Sequence, residues 1–296
     1  METRSARGTK TTLVLGGTGK TGRRVAERLK ARGLPVRVGS RSGEPPFDWE
    51  ERVTWAPALR DVGSVYVSYY PDLAVPGAVE AVRSFAELAV ESGVRRLVLL
   101  SGRGEEEAQR TELAVQEVGA EWTVVRCSWF SQNFSESYLL EPILGGEVVL
   151  PAGNVPEPFV DADDIADVAV AALTEDGHAG QLYELTGPRL LTFAQAVDEI
   201  AQAAGREVRY VPVSVEQYAS VLAEHDVPAE FVSLLTYLFS EVLDGRNAHL
   251  TDGVQRALGR EPRDFRDTRA TLPLPASGTS GRKQPRPRRW TVSSSR

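Results

Sequence analysis

Residues 11–30, TTLVLGGTGKTGRRVAERLK, constrain the fold more than any other stretch. A β-branched and leucine run ends at Gly16, and from Arg23 onward Val25, Ala26 and Leu29 recur at helical spacing. Gly16, Gly19 and Gly22 therefore stand between a strand and a helix as G-x-x-G-x-x-G. Residues this small let the backbone turn tightly and approach a pyrophosphate, whose charge then meets the helix N-terminus. The pattern predicts a dinucleotide cradle made by Gly16, Gly17, Thr18, Gly19, Lys20, Thr21 and Gly22. Gly19-Lys20-Thr21 also spells the end of a Walker A loop, but that motif needs a glycine where Val14 stands, inside the strand.

A second strand, Val36 to Gly39, ends about 20 residues past the loop, where an acidic residue would hold the ribose hydroxyls of NAD. Ser40 and Arg41 stand there instead, and an arginine pairs with a 2′-phosphate, so NADP(H) is expected over NAD(H). Phe47-Asp48-Trp49 reads as a short third strand that places Asp48, next to Trp49, against an adenine amino group. Residues 65–70 form a fourth strand, Val75 to Ser92 a helix, 96–101 a fifth strand, Leu113 to Val118 a helix and 122–126 a sixth strand. This alternation predicts an α/β fold, a doubly wound parallel Rossmann sheet. Cofactors bind at the carboxyl ends of such strands, which puts Ser68, Tyr69, Tyr70, Ser101 and Gly102 beside the glycine loop. Because side chains alternate along a strand, one of Tyr69 and Tyr70 is expected to face the nicotinamide and the other the core.

Charge divides unevenly. Up to Asp267 there are 27 basic and 41 acidic residues, a net of -14, while the last 29 residues carry seven basic residues and no acidic one. An acidic body argues against a nucleic-acid-binding fold. One cysteine, Cys127, excludes an internal disulfide, and His178, His225 and His249 are too scattered for a zinc cluster. No apolar run reaches the length of about 18 residues that a spanning helix needs, and the first ten residues are polar, so a cytoplasmic protein is expected.

Taken together, GGTGKTG, VRVGSR, VYVSYYPD, RRLVLLSG, EWTVVRCSWFSQNF, PFVDADDIADVAVAAL and GQLYELTGP resemble the NmrA-like, atypical short-chain dehydrogenase/reductase superfamily over residues 11 to about 265. Within it, the branch of triphenylmethane-dye and quinone reductases looks nearest. The resemblance implies a Rossmann core at 11–126 that also receives 159–185, and a smaller substrate lobe from 127–158 and 186–267. It also implies that Phe130 and Asn133 are the family's F-x-x-N element beside the nicotinamide, so that Trp129, Phe130, Asn133 and Phe134, with Tyr70, are candidate substrate contacts. Phe130, Phe134 and Tyr138, spaced by four, read equally as the buried stripe of a helix.

One departure is informative. Short-chain reductases commonly use Tyr-x-x-x-Lys, the lysine lowering the tyrosine pKa for proton exchange. The four lysines here, Lys10, Lys20, Lys30 and Lys283, follow Ala6, Gly16, Ala26 and Thr279 at that spacing, so the motif is absent. Ser101 stands where the family's active-site serine strand ends and, with Tyr69, is the candidate catalytic group; Glu112 matches a recurrent family glutamate. Two functions remain open: an NADPH-dependent reductase of small, planar, conjugated or quinone-like acceptors, or a non-catalytic sensor of NADP(H).

Elsewhere, Asp161, Asp163 and Asp164 precede a helical stripe and read as capping and first-turn acids, not as a metal site. Cys127 is expected to pack, and Arg103 to Arg110 to form a mobile solvated loop. Val232 to Leu243 is apolar enough to wall a pocket or form a homodimer interface. The basic segment 268–296 is expected to be disordered.

Overall fold

The computed structural model describes residues 10–269, which divide into two compact units. The first holds residues 10–130, 160–188 and 250–263; the second holds 131–159, 189–249 and 264–269. The expectations for the N-terminal arm and the basic tail fall, but for Lys10, Thr268 and Arg269, outside the described residues.

The first unit runs β1 (Thr11–Leu15), α1 (Lys20–Ala31), β2 (Val36–Gly39), β3 (Val62–Val67), α2 (Ala78–Glu91), β4 (Arg96–Gly102), α3 (Glu106–Gln116), β5 (Glu121–Cys127), α4 (Ala162–Thr174), β6 (Gln181–Leu185) and α5 (Gly253–Leu258). The six strands form one parallel sheet in the order β2-β1-β3-β4-β5-β6, the doubly wound arrangement that the alternation predicts. Consecutive side chains leave the sheet on opposite faces. Leu13 and Leu15 of β1, with Val65 and Val67 of β3, pack on Phe85 and Leu59, while Val14 and Tyr66 pack on Val25, Leu29 and Ile165. Both faces are thus apolar and covered, as a parallel sheet requires.

Asp161 caps α4, its side chain accepting from the Asp163 backbone N–H at 2.6 Å. The first-turn acids do more than oppose the helix dipole. Arg28 of α1 binds Asp163 and Asp167 at 2.5 and 2.7 Å, and Arg260 binds Asp164 and Asp167, each at 2.7 Å. Burial by itself would push Asp163 and Asp167 up, but the arginine hydrogen bonds and charges hold both below the usual carboxylate range.

Three expectations need correction. Phe47-Asp48-Trp49 forms no strand, because the Phe47 and Trp49 rings join Trp55 and Phe85 in an aromatic cluster whose neighbouring centroids lie 5.1–6.5 Å apart. Arg103 to Arg110 is not a solvated loop: Glu106 opens α3, whose acidic first turn suits a helix N-terminus, and Arg103 and Glu105 are buried. Phe130, Phe134 and Tyr138 do not stripe a helix, since the chain there makes only a 3₁₀ turn at Ser131–Asn133.

The second unit contains a parallel pair, Glu147–Leu150 with Arg209–Pro212, and a short antiparallel pair, Pro156–Glu157 with Leu191–Thr192. Thr192 and Gln195 form a capping box on the helix Phe193–Ala204, and Ser214 with Gln217 repeats the device on Val215–Glu224. Phe134, Phe159, Phe193 and Phe265 pack as edge-on and tilted rings at 5.1–5.9 Å. Arg189 clamps Glu199 and Asp264. Val232 to Leu243 is helical as Ala229–Tyr237 and then a π turn, and among the described residues no helix is long and apolar enough to cross a membrane.

Candidate active site

The site is assembled where β1, β3 and β4 end. Gly16 adopts φ +61°, a left-handed conformation that favours glycine, and its carbonyl accepts from the Gly19 N–H at 2.8 Å, closing the turn into α1. A Cβ on Gly17 would stand 2.7 Å from Val38 Cγ1, and one on Gly22 would collide with the Gly16 carbonyl oxygen. Gly19 caps α1 without a side-chain hydrogen bond, and the first turn holds no acid. The cradle therefore fits a dinucleotide pyrophosphate: the backbone approaches closely, and helix N–H groups and dipole face an anion. Thr18 is exposed, Lys20 is the first residue of α1, and Thr21 is buried, its hydroxyl accepting from the Tyr66 phenol at 3.0 Å. That phenol is buried, which pushes it well up from its ordinary pKa and keeps it protonated.

The loop after β2 turns on Ser40, whose carbonyl accepts from Gly43 and Phe47 at 3.0 and 2.9 Å, and leaves Arg41 exposed. Among the described residues no carboxylate ion-pairs with Arg41. Asp48 is half-buried; its Oδ1 accepts from the Glu50 N–H and its carbonyl from Trp55 Nε1.

Ser68 faces the loop directly, its Oγ 3.2 Å from the place a Gly16 Cβ would take, and its carbonyl accepts from Trp49 Nε1 at 3.2 Å. Tyr69 leans on Trp49 with centroids 4.9 Å apart, and Tyr70 is 61% exposed. The structure thus brings Gly16, Ser68, Trp49 and Tyr69 together. Trp129 and Phe130 are half-buried and bridge to Val160, the Trp129 carbonyl accepting its N–H at 2.9 Å. Asn133 and Phe134 belong to the second unit, where Asn133 is half-buried and Phe134 lies inside the aromatic cluster.

Ser101 is buried, and its hydroxyl donates to Glu112 Oε1 at 2.6 Å. Arg126 also binds that carboxylate, and Arg103 links Glu184 at 2.6 Å with Ser128 at 3.0 Å. A group that sequence reasoning assigned to solvent lies beside them: Glu105 tucks its carboxyl against Gly102, and burial together with the nearby Asp72 and Glu112 pushes it well above the usual carboxylate range. Its only sequence signal was position, since Asp72 and Glu105 both closely follow strand ends. Cys127 is buried, which, with the nearby Glu105, pushes its thiol well up and makes it a packed group.

A six-stranded parallel sheet with a glycine cradle at its carboxyl edge defines a dinucleotide-binding Rossmann protein. No protein-family model matches the chain. It is 32% identical over 265 residues, 86% of this chain and 92% of the relative, to an uncharacterised oxidoreductase, YesF, of Bacillus subtilis. It is 31% identical to an NAD(P)H azoreductase of Xenophilus azovorans, over 86% of this chain and 94% of that one. The triphenylmethane reductase of Citrobacter sp., solved with NADP(H), superposes with a TM-score of 0.70 at 19% identity, covering 89% of this chain and 100% of its own. The chain belongs to the NmrA-like family of atypical short-chain dehydrogenases/reductases. It is an NAD(P)H oxidoreductase.

Proposed function

We propose that this chain reduces a small, planar, conjugated or quinone-like acceptor, with NADPH in preference to NADH and without a Tyr-x-x-x-Lys dyad. The bound cofactor supplies hydride, and the chain supplies position. The cradle Gly16–Gly22 fixes the pyrophosphate, and Arg41, exposed at the end of β2, recognises the 2′-phosphate. Holding the acceptor's electrophilic atom in line contributes several kcal/mol of rate enhancement, about 7–11 kcal/mol in the best-oriented systems. The observation that carries the reading is the commitment of Ser101: its hydroxyl is buried and given to Glu112, so no Ser–Tyr–Lys relay stands at the end of β4. Acceptors that take hydride with little acid assistance suit such a site, and the relatives named azoreductase and triphenylmethane reductase support that class. Exposed Tyr70 and half-buried Trp129 and Phe130 offer aromatic surface for a flat molecule.

The test is a titration of the purified chain with NADPH and NADH, followed by cofactor absorbance against quinones, azo compounds and cationic dyes. Turnover with at least one of these, and tighter NADPH binding, is expected. Tight NADPH binding with no acceptor reduced overturns the acceptor class, and equal affinities overturn the role of Arg41.

A further inference from the structure

Arg103 opens the stretch Arg103 to Arg110, to which the reading above gives no task. It follows the last residue of β4, its N–H donates to the Cys127 carbonyl at 3.0 Å, and its side chain is 2% exposed. Nε donates to Glu184 Oε1 of β6 at 2.6 Å, and Nη1 donates to Ser128 Oγ at 3.0 Å. Ser128 is buried and is the residue that follows β5. One guanidinium therefore joins the carboxyl ends of β4, β5 and β6, which lie side by side in the sheet. The carboxylate it holds is shared: Arg126 Nη1 stands 3.6 Å from Glu184 Oε2, and Arg126 also binds Glu112, which takes the Ser101 hydroxyl. An alternation of charges, Glu112, Arg126, Glu184 and Arg103, thus crosses the carboxyl edge and reaches the neutral hydroxyl of Ser128.

Stability alone does not explain a guanidinium there. Taking it out of water is costly, and a well-packed apolar residue of similar volume often holds a fold as well as a buried ion pair does. What the guanidinium adds is direction, because its planar fork sets two partners in a fixed relation to each other. One partner, Glu184, is anchored by its main chain: its carbonyl accepts from Thr251 Oγ1, and β6 pairs with β5. The other, Ser128, opens the segment 128–130, which leaves the sheet at the carboxyl edge, where α/β proteins bind their ligands. Two main-chain hydrogen bonds set the path of that segment, Ser128 N–H to the Leu185 carbonyl at 3.1 Å and Val160 N–H to the Trp129 carbonyl at 2.9 Å. The hydrogen bond from Arg103 is a side-chain tether, which fixes how the segment is turned and with it the rings of Trp129 and Phe130.

We propose that Arg103, acting through Ser128, positions the aromatic wall of Trp129 and Phe130 against the acceptor and so sets how tightly a flat acceptor is held. The proposal rests on the reading that Trp129 and Phe130 offer their surface to the acceptor. Arg103 is a positioning residue: its work is done through Ser128, and neither proton nor hydride passes it.

The full chain, saturated with NADPH, is assayed against a quinone and against a cationic triphenylmethane dye. Ser128→Ala removes one oxygen and leaves Glu184 on Arg103, so it keeps the fold while cutting the tether. It raises acceptor KM about tenfold with kcat changed by less than about threefold, the mark of lost binding that ground and transition states share. Arg103→Met does the same, and the double variant is no worse than Arg103→Met alone, because both act along one path. NADPH affinity stays within about twofold in all three. One readout needs no turnover: acrylamide quenches Trp129 more strongly in Ser128→Ala, taken as the difference from the same chains carrying Trp129→Phe. Trp129→Ala and Phe130→Ala test the wall itself. If these raise acceptor KM while Ser128→Ala or Arg103→Met leaves it unchanged, or if the two effects add in the double variant, the proposal alone is overturned. Unaltered quenching of Trp129, or a loss of NADPH affinity in Ser128→Ala, overturns it equally. If Trp129→Ala and Phe130→Ala leave KM unchanged, the acceptor does not meet these rings, and that reading is lost together with the proposal.

Discussion

Ser101 Oγ donates to Glu112 Oε1 at 2.6 Å, and Arg126 Nε donates to the same oxygen at 2.9 Å from the adjacent strand. Glu112 is 2% exposed, so its carboxylate depends on these two partners. Ser101→Ala is expected to destabilise the fold by about 1–3 kcal/mol, the cost of leaving a buried charged acceptor short of a donor. Arg126→Met is expected to cost more, about 3 kcal/mol or above, because it strands a buried charge. Urea unfolding of both variants checks the order; a Ser101→Ala chain as stable as the parent contradicts it.

Gly22→Ala is expected to abolish dinucleotide binding while leaving the second unit folded. The added methyl meets the Gly16 carbonyl, which cannot yield without opening the turn that the Gly19 N–H closes. Overpacking of this kind costs about 1–3 kcal/mol. NADPH titration by fluorescence should show at least a tenfold loss of affinity.

Arg41→Ala separates the two cofactors. A charge-assisted hydrogen bond contributes about 1.5–3 kcal/mol, so NADPH affinity should fall by about tenfold or more, and NADH affinity should stay within about twofold. Equal losses for both would assign Arg41 to something other than the 2′-phosphate.

Acid should act on the α1–α4 contact. The folded pKa values of Asp163 and Asp167 lie below their unfolded ones, net of burial, through Arg28 together with Arg24 at Asp163 and Arg263 at Asp167. Their stabilisation is therefore complete above about pH 4, the unfolded carboxylate value, and is lost as pH falls through the depressed values. Stability measured between about pH 6 and 3 should decline, and Asp167→Asn should flatten part of that decline. An unchanged slope in the variant would place the acid sensitivity elsewhere.

The parallel sheet was legible because a strand buried on both faces writes itself as an unbroken apolar run, as Leu13 to Leu15 and Leu97 to Leu99 do. The cradle was legible because tight turns admit few residues. Phe47 to Trp49 misled, since aromatic residues serve a strand and a ring cluster equally well and only tertiary contacts decide between them. Glu105 to Glu107 misled for the opposite reason: acidic residues suggest solvent, whereas two of them start α3 and the third is folded inward against Gly102. Long-range partners such as Glu184 for Arg103 leave no trace in local sequence spacing.

The first unit is written in three separated pieces, 10–130, 160–188 and 250–263, and this governs how it comes off the ribosome. When residue 130 has emerged, β5 has its partner β4 on one side only, and β6 does not yet exist. The growing chain thus carries an open, apolar strand edge, the kind that pairs with other chains, through synthesis of the whole 131–159 excursion. Even then α5 and the arginines at 260 and 263 that grip α4 arrive about 70 to 80 residues after β6. Cofactor binding is consequently a late acquisition of the nascent protein, and shortening the chain before Arg260 would disable the nucleotide fold itself.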